Sequence, residues 1–115
     1  MASEQLQQLF TQVQLYQQQM QAVLAQKESL ALQSSEIKKA LEELEKSKAK
    51  DAYKISGPIL IKSTTTEVKK DLKEKQESVG LRVKSLEKTE KMIGEKIDDL
   101  REKLEKSQKN ENVGG

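Results

Sequence analysis

The chain has 115 residues, 34% hydrophobic and 35% charged, which allows one domain at most and too little apolar surface for a thick globular core. Its 21 basic and 19 acidic side chains leave a formal net charge of +2, with the two signs interspersed from Lys38 onward. Cysteine and histidine are absent, and no glycine-rich phosphate loop is present. We therefore expect no enzyme activity, no cofactor and no metal site.

We expect no export signal at the start of the chain. Met1 to Gln5 has neither a basic patch nor an apolar core, and no stretch approaches the roughly 18 uninterrupted apolar residues of a membrane span. The absence of cysteine permits a reduced compartment. We expect a cytoplasmic location.

Lysine runs in the second half raise the possibility of a nucleic-acid or membrane surface. Lys69-Lys70 is one such run, but acidic residues stand within a helical turn of each, as in Lys73-Glu74-Lys75. This alternation is typical of a solvated helix face with exposed ion pairs. We therefore expect neither nucleic acid nor membrane among the partners.

The first half of the chain predicts a long helix at about residues 4–48. Its apolar residues recur in steps of three and four, which is the heptad pattern of a coiled-coil seam. The a positions are Leu6, Val13, Met20, Lys27, Ser34 and Leu41, and the d positions are Leu9, Tyr16, Val23, Leu30, Ile37 and Leu44. Only Lys27 and Ser34 interrupt this seam.

A second heptad helix is predicted at about residues 65–108, followed by a flexible tail at 109–115. Its d positions are Leu72, Val79, Leu86, Ile93 and Leu100, and its a positions are Gln76, Val83, Glu90, Ile97 and Leu104. Thr64 and Glu67 match the capping-box pattern at its start. Helices this long and polar need a partner, and the short break between them favours antiparallel packing of one on the other.

The break predicts one β-hairpin at about residues 52–63. Strand-forming residues stand on both sides of Gly57-Pro58, from Tyr53 to Ser56 and from Ile59 to Lys62. Gly57 can adopt positive φ and Pro58 suits the second central position of a type II′ turn, so a two-residue connection is feasible. A looser loop is the alternative.

The hairpin is apolar enough to need partners. Tyr53 with Ile55, and Ile59 with Ile61, can line one face, and a lone two-stranded hairpin has unpaired edges on both sides. Closing such hairpins into a β-barrel removes those edges. We therefore expect an oligomer assembled through Tyr53, Ile55, Ile59, Leu60 and Ile61. Alternatively, Ile59 to Ile61 pack back on the helices as a plug.

This arrangement resembles the prefoldin family, specifically its beta class, in which two long coiled-coil helices flank a single β-hairpin. The resemblance runs from about Leu6 to Leu104. It rests on a glutamine-rich first helix, the segment Lys39 to Leu44, the strands Ala52-Tyr53-Lys54-Ile55 and Ile59-Leu60-Ile61-Lys62, and a charged second helix. The roughly 20 residues between the helices leave room for one hairpin, whereas alpha-class subunits have two.

The resemblance implies a mainly α fold, an antiparallel two-helix coiled coil whose hairpin oligomerises into a β-barrel. It also implies a hexamer of two alpha and four beta subunits. Its activity would be ATP-independent holding of unfolded proteins at the coiled-coil ends, followed by transfer to a group II chaperonin. A structural coiled-coil adaptor that assembles through the hairpin without binding unfolded proteins is the main alternative.

The substrate site is expected at the helix ends that carry the chain termini, where fraying would leave the seam partly open. The expected contact residues are Leu6, Leu9, Phe10, Val13, Ile97, Leu100 and Leu104. Phe10 lies at position e, off the seam, and either contacts substrate or widens the seam. The g positions from Gln5 to Gln33 are all glutamine, which suits a non-selective surface or merely a soluble helix.

Four further residues in the heptads have no single interpretation. Lys27 and Glu90 lie at comparable heights of an antiparallel pair, so they either pair across the helices or extend to solvent. Gly80 and Gly94 share position e of the second helix, and they permit either bending or close approach of the helices. The sequence leaves both questions open.

Overall fold

The computed structural model describes the backbone of residues 2–114 and the side chains of residues 4–109. Helices α1 (Ala2–Ser47) and α2 (Thr65–Gly114) are joined by strands β1 (Asp51–Ser56) and β2 (Ile59–Thr64). This mainly helical architecture confirms the predicted fold class. The chain divides into a terminal unit, Met1–Lys27 with Ser85–Gly115, and a hairpin unit, Glu28–Lys84.

The heptad seam is confirmed within each unit, since all the predicted a and d residues are buried or half-buried. In the terminal unit, Val23, Ile93 and Ile97 form a buried cluster. In the hairpin unit, the buried seam residues include Leu30 and Val79. Because each fully buried aliphatic side chain contributes about 1.5–3 kcal/mol, this packing holds together helices that would be marginal in isolation.

Two polar residues of the seam contact each other in the hairpin unit. The Gln76 amide Nε2 donates a hydrogen bond of 3.1 Å to the Ser34 hydroxyl. The Gln76 Oε1 atom is buried and has no partner among the described residues. Such an unpaired oxygen costs about 1–3 kcal/mol, so this polar layer favours a particular alignment of the helices at the expense of stability.

The connection from α1 to β1 uses an unusual backbone conformation and a buried threonine. Lys48 follows the last residue of α1 and has φ +55°, in the left-handed region where glycine is preferred. The Thr65 hydroxyl donates to the Ala49 carbonyl at 2.6 Å, and the Thr65 amide donates to the Lys50 carbonyl at 2.9 Å. These bonds fasten the connection to the first residue of α2.

Helix α2 begins as predicted but continues further than predicted. The Glu67 amide donates to the Thr64 hydroxyl at 3.1 Å, which is the bond expected of an N-cap. The helix ends at Gly114 rather than near residue 108, and the flexibility expected of residues 109–115 stays a prediction. The apolar seam stops at Leu104, but no proline or glycine interrupts the chain before Gly114. Gly115 lies outside the described residues.

The hairpin has the predicted two-residue turn. Strands β1 and β2 pair antiparallel with Ser56 opposite Ile59, so only Gly57 and Pro58 connect them. Gly57 has φ +56°, whereas Pro58 is not among the residues with positive φ. This combination is that of a type II′ turn, whose twist matches the twist of the paired strands.

Candidate functional site

The hairpin carries apolar side chains on both of its faces. Cross-strand partners share a face of a sheet, and the register pairs Ile55 with Leu60 and Lys54 with Ile61. Tyr53, Ile55 and Leu60 therefore lie on one face, here called the outer face, while Ile59 and Ile61 lie on the opposite, inner face. The prediction that both pairs line one face was wrong, because the two-residue turn offsets them.

The inner face is held against α2 by charged and polar contacts. The Lys54 ammonium forms an ion pair with the Asp71 carboxylate and lies 3.9 Å from Glu67 Oε1. The Ser63 hydroxyl donates to Glu67 Oε2 at 3.1 Å. The hydrogen bond to Asp71 raises the pKa of Lys54, because it stabilises the charged ammonium. Lys54 thus fixes how the hairpin sits on the start of α2.

The outer face has no cover within the described chain. Tyr53 is 58% exposed, Ile55 83% and Leu60 63%. With Ser56 and Ile59 as the hydrogen-bonded pair that closes the turn, the backbone groups of Ile55 and Leu60 point away from the hairpin at its two edges. The alternative of a plug on the helices is wrong, since Ile59 and Ile61 are also exposed. The hairpin thus offers both apolar side chains and unpaired strand edges to a partner.

The predicted substrate residues lie together in the terminal unit, but most of them are not accessible. Val13, Leu100 and Leu104 form a buried cluster, with Leu6 and Leu9 packed against it. Ile97 is buried in the neighbouring cluster of the same unit. In this structure a and d side chains from both helices cover one another, with Leu6 and Leu9 half-buried, and opening of the seam by fraying stays a prediction.

Phe10 differs from the other predicted contact residues. Its side chain is 49% exposed, as its off-seam position predicts. Its role in binding stays a prediction. Phe10 is the one predicted contact residue that the structure leaves largely open to solvent.

Sequence reasoning missed several exposed apolar residues outside the seam. Their exposed fractions range from 45% for Leu24 to 64% for Met92, and the other members are Leu15, Leu32 and Leu81. The signal was present in the heptads, because none of these residues occupies an a or d position. An apolar residue off the seam has no helix partner to cover it.

The described residues offer no place for a metal ion, since residues 4–109 contain no group of three or more acidic, cysteine or histidine side chains suited to hold one. Neither α1 nor α2, as far as described, has a stretch apolar enough to cross a membrane.

Comparison with known proteins gives a consistent assignment. The family described as "Prefoldin subunit" matches residues 7–111. The chain is 40% identical over 103 residues to the prefoldin subunit beta of Pyrococcus furiosus, and the aligned region covers 88% of this chain and 87% of that one. It is 38% identical over 102 residues to the prefoldin subunit beta of Thermococcus onnurineus, with 88% of both chains covered.

A solved structure is similar over nearly the same length. The crystal structure of the prefoldin beta subunit from Thermococcus strain KS-1 matches with a TM-score of 0.82 and 36% sequence identity. The match covers 90% of this chain and 91% of that one. Sequence and fold agree, and the single hairpin fits the beta class. The chain therefore belongs to the prefoldin family of chaperones, as a beta-class member, and subunits of this family form hetero-oligomers.

Proposed function

We propose that this chain is a subunit of an ATP-independent holding chaperone of the cytoplasm. It assembles with an alpha-class prefoldin subunit, as two alpha and four beta subunits, and holds unfolded proteins at the ends of its coiled coil before passing them to a group II chaperonin. It performs no chemistry itself. The observation that carries the proposal is the exposed outer face of Tyr53, Ile55 and Leu60 in a beta-class chain.

Assembly follows from the energetics of that face. An exposed hairpin with apolar side chains and unpaired edges aggregates unless another sheet edge covers it. Pairing with hairpins of other subunits buries Ile55 and Leu60 and completes the strand hydrogen bonds. A hetero-oligomer uses this face without leaving an edge open.

Holding uses the apolar residues of the terminal unit. Leu6, Leu9 and Phe10 lie on a stretch of α1 in which Glu4 is the only charged side chain up to Gln26. Apolar contacts are non-directional, so a surface of this kind accepts many sequences. Val13, Ile97, Leu100 and Leu104 join the contact only when the helix ends separate, since the closed seam buries them.

The proposal is tested by dilution of a denatured protein into buffer without ATP. The chain mixed with an alpha-class subunit should suppress the rise in light scattering, whereas serum albumin at the same concentration should not. A complex that forms but leaves the scattering unchanged would reject the holding activity. Transfer is tested by adding a group II chaperonin with ATP and measuring recovery of native protein.

The buried terminal seam favours one alternative, a structural adaptor that only assembles. Removal of residues 1–10 and 94–115 takes away Leu6, Leu9, Phe10 and most of their α2 neighbours. If the chain is a holding chaperone, this truncation abolishes suppression of aggregation and leaves the oligomer intact. Loss of the oligomer would place assembly, rather than holding, in the terminal unit.

A further inference from the structure

A groove lies on one flank of the seam in the terminal unit, at the point where α2 carries Gly94. Seven residues line it, from both helices of that unit: Gln17, Met20, Gln21, Gly94, Ile97, Asp98 and Arg101. Two of them, Met20 and Ile97, belong to the seam, and Met20 is only half-buried. The groove thus leaves part of Met20 open to the surface, while Ile97 stays buried.

Packing does not require the glycine that lines this groove. A Cβ atom at Gly94 would lie 3.9 Å from Met20 Cε, an ordinary van der Waals contact, with nothing else within 4 Å. Gly94 is also not among the residues with positive φ. Glycine within a helix costs about 1 kcal/mol relative to alanine. The chain therefore gives up helix stability at a position where a larger residue fits and would cover Met20.

Two exposed apolar side chains flank the groove on α1. Phe10 and Leu24 each stand seven residues from Gln17, so the three lie on one stripe of the helix. Phe10 is 49% exposed and Leu24 is 45% exposed. Seven residues span about 10 Å of helix, so Phe10 and Leu24 stand about 21 Å apart, with Met20 between them along the helix.

We propose that this stripe binds an extended segment of an unfolded polypeptide, with one apolar side chain seated over Met20. An extended chain rises about 3.3 Å per residue, so a segment of about seven residues reaches from Phe10 to Leu24. The proposal rests on the holding function proposed above and adds a site on the side of the terminal unit, which stays available while the seam is closed.

The chemistry of the lining selects this occupant. Met20 is unbranched and polarisable, so it adapts to side chains of different shapes. The amides of Gln17 and Gln21 both donate and accept hydrogen bonds, which suits the backbone of a peptide. Asp98 and Arg101 carry opposite charges, so the groove is complementary to a neutral dipolar chain rather than to an anion or a cation.

The test compares two glycine substitutions in the complex with an alpha-class subunit. Gly94→Gln covers the groove, while Gly80→Gln is the matched control, because Gly80 has the same heptad position and a Cβ there meets nothing within 4 Å. Both should raise the melting temperature. The probe is fluorescein-labelled, carboxamidomethylated α-lactalbumin, which stays unfolded, and binding is followed by fluorescence anisotropy.

The expected result is about a tenfold loss of affinity for Gly94→Gln, the equivalent of one buried apolar side chain, and no change for Gly80→Gln. Equal binding by both variants and the unsubstituted complex would overturn the groove and leave the holding function standing. No binding by the unsubstituted complex would reject both. Dissociation of the complex by Gly94→Gln would mean that another subunit occupies the groove, which also overturns the proposal.

A cross-linking experiment locates the bound segment directly. The chain has no cysteine, so a single introduced thiol can carry a benzophenone group. Gln21→Cys places it in the groove, whereas Gln18→Cys places it on an exposed position of the same helix that does not line the groove. Preferential cross-linking of the labelled α-lactalbumin at Gln21→Cys is expected, and equal yields at both positions would contradict the proposal.

Discussion

The Lys27 ammonium donates a hydrogen bond of 2.8 Å to the Glu90 carboxylate across the two helices of the terminal unit. The side chains are 27% and 32% exposed, so they pair across the seam instead of extending separately into solvent. This pairing answers the question that the sequence left open. A half-buried pair at an a position discriminates against shifted alignments, in which either charge would face apolar side chains.

Replacing one partner of this pair should lower the stability more than replacing both partners with apolar residues. Lys27→Leu leaves the Glu90 carboxylate half-buried without its partner, so we expect a lower melting temperature. Lys27→Leu combined with Glu90→Leu should recover the loss or exceed it, because two apolar residues then extend the seam. Thermal unfolding followed by circular dichroism measures both. A double variant less stable than the single one would show that the pair is itself a major source of stability.

The same pair predicts how stability responds to alkali. The hydrogen bond to Glu90 raises the pKa of Lys27 above its ordinary value of 10.5. The stabilisation is therefore fully present below pH 10.5 and is lost as the pH rises through the higher folded pKa. We expect Lys27→Arg, which stays charged in this range, to show a smaller fall in melting temperature above pH 10.5. Identical alkaline profiles for the two proteins would count against this contribution.

The left-handed backbone of Lys48 predicts a stabilising substitution. Lys48→Gly removes the strain of a side chain at φ +55° and should raise the free energy of unfolding by about 1 kcal/mol. Lys39→Gly is the control. Lys39 is exposed within α1, and glycine there should lower the free energy of unfolding by about 1 kcal/mol. Urea denaturation compares them. Destabilisation by both would mean that the strain at Lys48 is negligible.

The outer face of the hairpin predicts a substitution that blocks assembly without unfolding the chain. Ile55 is 83% exposed, so Ile55→Lys should change the free energy of unfolding by no more than about 0.5 kcal/mol. In a sheet between subunits the lysine would be buried unpaired, and we expect no complex with an alpha-class subunit by native mass spectrometry. Leu32→Lys, on an exposed position of α1, should assemble normally. Assembly of both variants would move the interface away from this face.

Phe10 predicts a change in holding without a change in folding. Phe10→Gln keeps a good helix former at an exposed position, so the melting temperature should not change. We expect affinity for the labelled, unfolded α-lactalbumin to fall about tenfold, as for the loss of one apolar contact. Leu32→Gln removes a still more exposed apolar side chain, 63% against 49% for Phe10, in the hairpin unit and should have no effect. Equal losses would indicate binding by exposed apolar residues in general.

Much of the fold was predictable because its signals are local. The heptads define both seams, the Thr64 cap begins α2, and Gly57-Pro58 allows a two-residue connection. The faces of the hairpin were assigned wrongly, since they depend on whether the turn has two residues or more. The left-handed Lys48 was not predicted at all, because nothing about a lysine after a helix signals positive φ.

The candidate sites were harder to predict for a physical reason. The heptad positions identify side chains that contact each other across the two helices, but they do not reveal whether those side chains stay exposed to solvent after the helices pack. Val13 and Leu100 were therefore expected at an open surface and are buried. Leu24 and the groove at Gly94 can be found only by asking which apolar residues the partner helix fails to cover.

Because the hairpin is exposed, the amount of usable chain depends on how much of its partner is present. Each copy with an uncovered outer face at Ile55 and Leu60 is a template for further strand addition, so copies made in excess of their partner are the ones that aggregate. Binding to the partner lowers the concentration of copies with an exposed outer face, by mass action. A cell that produces the two subunits in unequal amounts would therefore lose the surplus, and the ratio of their synthesis, rather than the stability of either chain, would set how much working complex it holds.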